Sequence, residues 1–279
     1  MACLLGLALF SSCAQAALEV PDARELIRRS LEAGERNELA LRTYVARTRS
    51  VSKQLDPEGK VKSEDIKTYD DVVVDGIHVR KLVEKDDKPL DPADLTKENE
   101  RVAKLVATRR HESPAQRDQR LSDANAKREK NRNFTHEILG AFDFRVLREE
   151  IVSGRKAWVL QAVAHPGYRP KELKSQIFPH VRGTIWVDQD EFFWQKAEAD
   201  AVEPFSVGFS LAVKVDQGAH IFFEQTRLED GTWVVRQVAL KANLRLALVK
   251  RVSIEHVTTS TNWRKISSNA PVIESKEER

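Results

Sequence analysis

Cysteine is nearly absent. Of 279 residues only Cys3 and Cys13 are cysteines, and both fall in the first thirteen positions. The rest of the chain therefore has no disulfide framework and no cysteine-ligated metal. Long apolar runs are equally scarce. Past the uncharged stretch from Leu4 to Phe10, nothing approaches the ~20 residues that a membrane-spanning helix needs. An excess of one charge sign is also missing. Lys and Arg number 46 and Asp and Glu 43, for a net charge of +3, with no basic block of the kind that grips nucleic acid. Chemical motifs are lacking too: there is no nucleophile elbow, phosphate loop or Gly-rich dinucleotide fingerprint. His136-Glu137 has no second His four residues after the first, and the seven His are scattered. These absences point away from an enzyme. No catalytic residue, no cofactor and no metal site is expected.

What is present begins with an export signal. Leu4 to Phe10 forms its apolar centre, and Ala14-Gln15-Ala16 is the small-x-small pattern a signal peptidase accepts, so residues 1–16 are expected to be removed. No Lys or Arg precedes the apolar run, so the basic end of the signal is expected to lie ahead of Met1. Cys13 offers a second outcome, lipidation and a membrane anchor, ranked behind plain cleavage. Cleavage removes both cysteines and leaves 279 − 16 = 263 residues. They are expected to form a single periplasmic domain over 17–279.

Asp22 and Glu25 have capping-box spacing and open a helix that should fade near Gly34. From Leu41 the apolar period changes to two, and turn sequences at Asp56-Pro57-Glu58-Gly59 and Asp75-Gly76 divide a three-stranded meander. Residues from about 91 to 133 interrupt it with a charged helical insertion, broken at Pro114. Both charge signs are mixed there, as on a solvated helix pair. Strands resume at Phe142 and continue nearly to the charged tail at 274–279. Nine to eleven strands are expected in all. The even positions Val238, Leu240, Ala242, Leu244, Leu246, Leu248, Val252 and Ile254 are apolar and the odd ones largely polar, which means one dry and one wet sheet face. Such a sheet is typically antiparallel.

Two features of that sheet bear on function. Ala197, Ala199 and Ala201 fall on one face and leave volume for a helix or a ligand. Leu240, Leu244, Leu246 and Leu248 are the expected wall of an apolar cavity, with Trp186 and Ala199 as further candidates. Most of the five Trp read as ordinary sheet-core residues. Asp188 and Asp190 have the look of a hydrolytic pair, but at a hairpin tip they read better as turn formers.

The order of elements resembles the periplasmic lipoprotein-localisation factors of the LolA/LolB type, and more closely the outer-membrane lipoprotein-sorting-like proteins. The residues that carry the resemblance are Arg80 to Leu90 running into Glu98-Asn99-Glu100-Arg101-Val102, Gly183 to Asp188, Lys196-Ala197-Glu198, and Glu203-Pro204-Phe205-Ser206. The resemblance implies a mainly-β fold: a large curved antiparallel sheet forming a half-open barrel, with the N-terminal helix and the insertion packed over its concave face. It implies an apolar concavity that holds lipoprotein acyl chains, a lipid or a similar amphiphile. The charged insertion is longer than expected in the carriers themselves. It leaves open a second reading, an envelope interaction or sensor module whose concavity is plugged and whose insertion binds a protein.

Overall fold

The computed structural model describes residues 21–56, 58–74, 77–207, 213–246 and 250–266. The signal stretch 1–16 with Cys13, the turn at Asp75-Gly76, Leu248 and the tail 274–279 lie outside the described residues.

Asp22 opens α1 (Ala23–Leu41) by accepting from the backbone N–H groups of Arg24 and Glu25. The reciprocal half of the capping box does not form, because Arg28 takes the Glu25 carboxylate. The helix also outruns its expected end. A glycine within a helix costs only about 1 kcal/mol, and the turns beyond Gly34 are fastened to the sheet. Asn37 donates to the C=O of Trp233 and accepts from its N–H.

Strands β1 (Tyr44–Leu55), β2 (Val61–Val74) and β3 (Ile77–Lys85) form the expected meander, followed by the two-residue β4 (Lys88–Pro89). The insertion is two helices, α2 (Pro92–Arg110) and α3 (Pro114–Ala141), divided where the sequence places the break. There Ser113 and Gln116 cap α3 reciprocally. A second meander follows: β5 (Phe142–Val152), β6 (Arg155–Ala164), β7 (Val181–Asp188) and β8 (Trp194–Ala201). A 3₁₀ helix at Lys174–His180, which carries no clear sequence signal, sits between β6 and β7. The chain continues with β9 (Phe205–Val207), β10 (Val213–Val215), β11 (His220–Arg227), β12 (Trp233–Leu246) and β13 (Lys250–Lys265). The strands number thirteen among the described residues, more than expected, because β4, β9 and β10 are too short to announce themselves.

All of them join one antiparallel sheet in the order β4-β3-β2-β1-β13-β12-β11-β8-β7-β6-β5, with β9 and β10 branching from the end of β12. The sheet does not close into a barrel. The half-open, mainly-β architecture implied by the resemblance is the one found.

Strand register explains where the helices go. One row of paired residues crosses ten strands on a single face: Val146, Leu160, Ile185, Ala197, Phe223, Val238, Thr258, Ser50, Lys67 and Lys85. The row is apolar from β5 to β12 and polar from β13 to β3. Helix α1 lies over the apolar part, where Leu26, Ile27 and Leu31 are buried against Leu160, Ile185 and Val187. Phe134 and Ile138 of α3 and Phe178 of the 3₁₀ helix complete that core.

The second helix goes elsewhere, to the edge of the sheet. Glu98 accepts the N–H of Leu82 at 2.8 Å, and Arg101 donates to the C=O of Arg80 at 2.6 Å. Two side chains of α2 thus take two of the outward backbone groups of β3, next to the short stretch that β4 pairs, in place of a further strand.

Candidate functional site

A cavity of about 520 Å³ lies between α1, α3 and the sheet, within the ~300–1,000 Å³ typical of ligand pockets. Its apolar lining comes from two directions. Leu31 and Leu41 descend from α1, while Phe193, Trp194 and Phe223 rise from the sheet. The indole N–H of Trp194 is buried and has no protein partner.

The rim of the cavity is charged. Glu35 on α1 sits 2.5 Å from Nε2 of His136 and 3.5 Å from Nε of Arg132, both on α3. Arg128, also on α3, stands at the same mouth. An apolar interior beneath an ionic rim suits a molecule with a long apolar part and a polar end.

The sequence-expected wall lies partly beside this cavity. Ala199 pairs with Ile221, which pairs with Leu240, so all three share the helix-side face with Phe223 and Val238. Leu240 and Leu244 are half-buried against Ala201, Phe205, Val215 and Ala242. The Ala197–Ala201 stripe is on this face as well. Ala197 belongs to the core under α1, and Ile177 of the 3₁₀ helix packs against that core and against the cluster around Ala201. Leu246 pairs with Val213 at the end of β12, and Leu248 is outside the described residues.

Trp186 is not brought together with the others. It sits between Ile185 and Val187 and so points to the opposite face. There it is buried with Ala157 and Val159, donates to Glu150 at 2.6 Å and lies under the Lys196 ammonium.

Five lining residues escape sequence reading. Phe193, Trp194 and Phe223 look like any strand aromatics. Leu31 reads as core, and Leu41 lies beyond the expected end of α1. The available signal was the pattern Leu31, Glu35, Glu38, Leu41, which keeps helical spacing through Gly34.

Asp188 and Asp190 are not a free carboxylate pair. Asp188 is 0 % exposed. It accepts from Nε and Nη2 of Arg155 at 2.6 and 2.8 Å, from Gln195 at 2.8 Å, and from the backbone N–H of Glu191 at 2.8 Å. Burial pushes its carboxyl up, but the hydrogen bonds from Arg155, Glu191 and Gln195 outweigh this and hold it below the ordinary carboxylate range. It braces the β7–β8 turn. Among the described residues, no group of three or more His, Cys, Asp and Glu is placed to hold a metal ion, and no helix is long and apolar enough to cross a membrane.

No protein-family model and no curated protein matches the sequence. Similar solved structures include a domain assigned to outer-membrane lipoprotein sorting from Vibrio parahaemolyticus, with 10 % identity and a TM-score of 0.33 over 88 % of this chain and 95 % of that one. A LolA superfamily protein from Nitrosomonas europaea gives 12 % and 0.29 over 90 % and 96 %. The MucB protein of a complex of MucA and MucB from Pseudomonas aeruginosa gives 11 % and 0.23 over 89 % and 100 %. These likenesses are remote. The strand order and the placement of the helices define the architecture.

Proposed function

We propose that this protein is a non-enzymatic periplasmic binding protein or carrier for an amphiphile: lipoprotein acyl chains, a lipid or a similar molecule. The observation that supports this reading is the cavity between α1, α3 and the sheet, apolar within and ionic at its rim. From it the apolar face runs on through exposed Val238 and half-buried Leu240 and Leu244. An acyl chain would be held mainly by burial, at about 0.8 kcal/mol per methylene. Binding should therefore tighten about fourfold for each methylene added, until the cavity is filled. Mass spectrometry of an organic extract of the purified protein should find lipid, and a fluorescent fatty acid should bind, more weakly once Phe223→Glu places a charge on the floor. An extract without lipid, together with no fatty-acid binding, overturns the proposal.

A second reading is favoured by α1 itself, which already occupies much of the apolar face, with Ile27 0 % exposed. In that case the concavity is plugged and the charged insertion binds an envelope protein. Charge reversals at Lys127 and Lys130 would then abolish capture of that partner, with lipid absent from the start.

A further inference from the structure

The corner where α2 meets α3 gathers arginines from both helices. Arg109, Arg110, Arg117 and Arg120 line a second hollow of about 590 Å³, together with Glu112 and His78. Among the described residues lining it, Glu112 is the one carboxylate. It accepts Nη1 of Arg109 at 2.6 Å, Nε of Arg120 at 2.9 and 3.0 Å, and Nη2 of Arg120 at 2.8 Å. One negative charge thus fixes two guanidinium groups and cannot neutralise both. Each guanidinium has five N–H donors, so most donors of the two forks are not committed to Glu112.

Helix stability explains some of these charges. Arg109 and Arg110 stand in the last turn of α2, where the helix dipole favours cations. Arg117 has no such account. It lies near the start of α3, where the dipole opposes a positive charge, and the first turn of that helix has no acidic residue.

The geometry points to a binding site for a phosphate ester group at this corner, of the kind carried by an anionic phospholipid headgroup. Arginine forks match phosphate oxygens in pairs. The site shares no lining residue with the α1–α3 cavity, whose nearest member in sequence is Arg128 two turns further along α3, and it does not depend on whether that cavity holds an amphiphile.

The test uses the full chain, with Arg117→Ala and Arg117→Glu, which leave the Glu112 contacts intact. Lys97→Glu, on the exposed side of α2, matches the charge change elsewhere. Retention on phosphatidylglycerol vesicles, against phosphatidylcholine vesicles, is measured at low salt, and inorganic phosphate is titrated separately. Basic residues at an anionic surface contribute about 1 kcal/mol each. Retention should fall about fivefold for Arg117→Ala and about thirtyfold for Arg117→Glu, with Lys97→Glu close to the parent. Saturable inorganic phosphate binding, lost in Arg117→Glu without vesicle retention, upholds the phosphate site and assigns it to soluble esters. Equal losses for Lys97→Glu and Arg117→Glu reduce the effect to general electrostatics and overturn the proposal. So does an absence of both vesicle and phosphate binding.

Discussion

The two halves of the sheet are built from the same ladder of hydrogen bonds and are held in different ways. From β5 to β8 one face lies beneath α1, α3 and the 3₁₀ helix, in a core that includes Ile27, Leu160 and Val187, each 0 % exposed. From β13 through β3 the same face is hydroxylic and charged, and no comparable core forms. On the opposite face of that half, side chains tie neighbouring segments together: Arg47 forks onto Asp70 at 2.7 and 2.8 Å, Arg49 onto Asp87 in the turn after β3, and Lys53 reaches Glu64. One half is packed and the other is laced. The cavity reaches Phe223 on β11, beside the boundary strand β12, where apolar Val238 remains exposed.

The largest expected effect lies in the packed half. Asp188→Asn leaves Arg155 without its buried counter-charge, a change of the class that costs about 3–5 kcal/mol. Asp190 at 3.3 Å and Glu191 at 3.8 Å soften the loss toward the lower figure. The effect should depend on pH in one direction. The folded Asp188 carboxyl is held below its unfolded value of ~3.9. Its contribution is therefore complete above about pH 4 and disappears as the pH falls through the folded value. Denaturant titrations of parent and variant should converge in acid. A gap that persists there would show that geometry, not charge, is what Asp188 supplies.

Leu160→Ala should come next, at about 2–5 kcal/mol, because a large side chain is removed from a site with no exposure. Asp70→Asn in the laced half should cost only about 0.2–1 kcal/mol, as partly exposed pairs do. If the Asp70 and Leu160 variants unfold at similar denaturant concentrations, the contrast between the halves is wrong. Hydrogen exchange would sharpen it further, with amides of β6 and β7 protected longer than those of β2 and β3.

Much of this was readable from residue order. The apolar alternation from Val238 to Ile254 gave the strands, and its parity survives the turn into β13 because Leu244 pairs with Val252 and Ala242 with Ile254. The helical insertion and its break at Pro114 were plain from charge and proline. The site was less legible. Trp186 and Leu240 are both apolar strand residues, and only register assigns them to opposite faces. Leu41 joined the cavity because Asn37 fastens α1 to Trp233, a contact 196 positions away in the chain. The polarity switch along the sheet was hidden for the same reason, since each strand looks unremarkable until its neighbours are known.

The contact of Glu98 and Arg101 with β3 bears on how the molecule behaves among copies of itself. An outward row of backbone N–H and C=O groups is a template, and a strand added to it presents a fresh template in turn, so growth need not stop. A helix has already spent its backbone groups internally. By satisfying the N–H of Leu82 and the C=O of Arg80 through two side chains, α2 blocks part of the template without regenerating it. The sheet ends on that side as a chain reaction ends, with a terminator that reacts once.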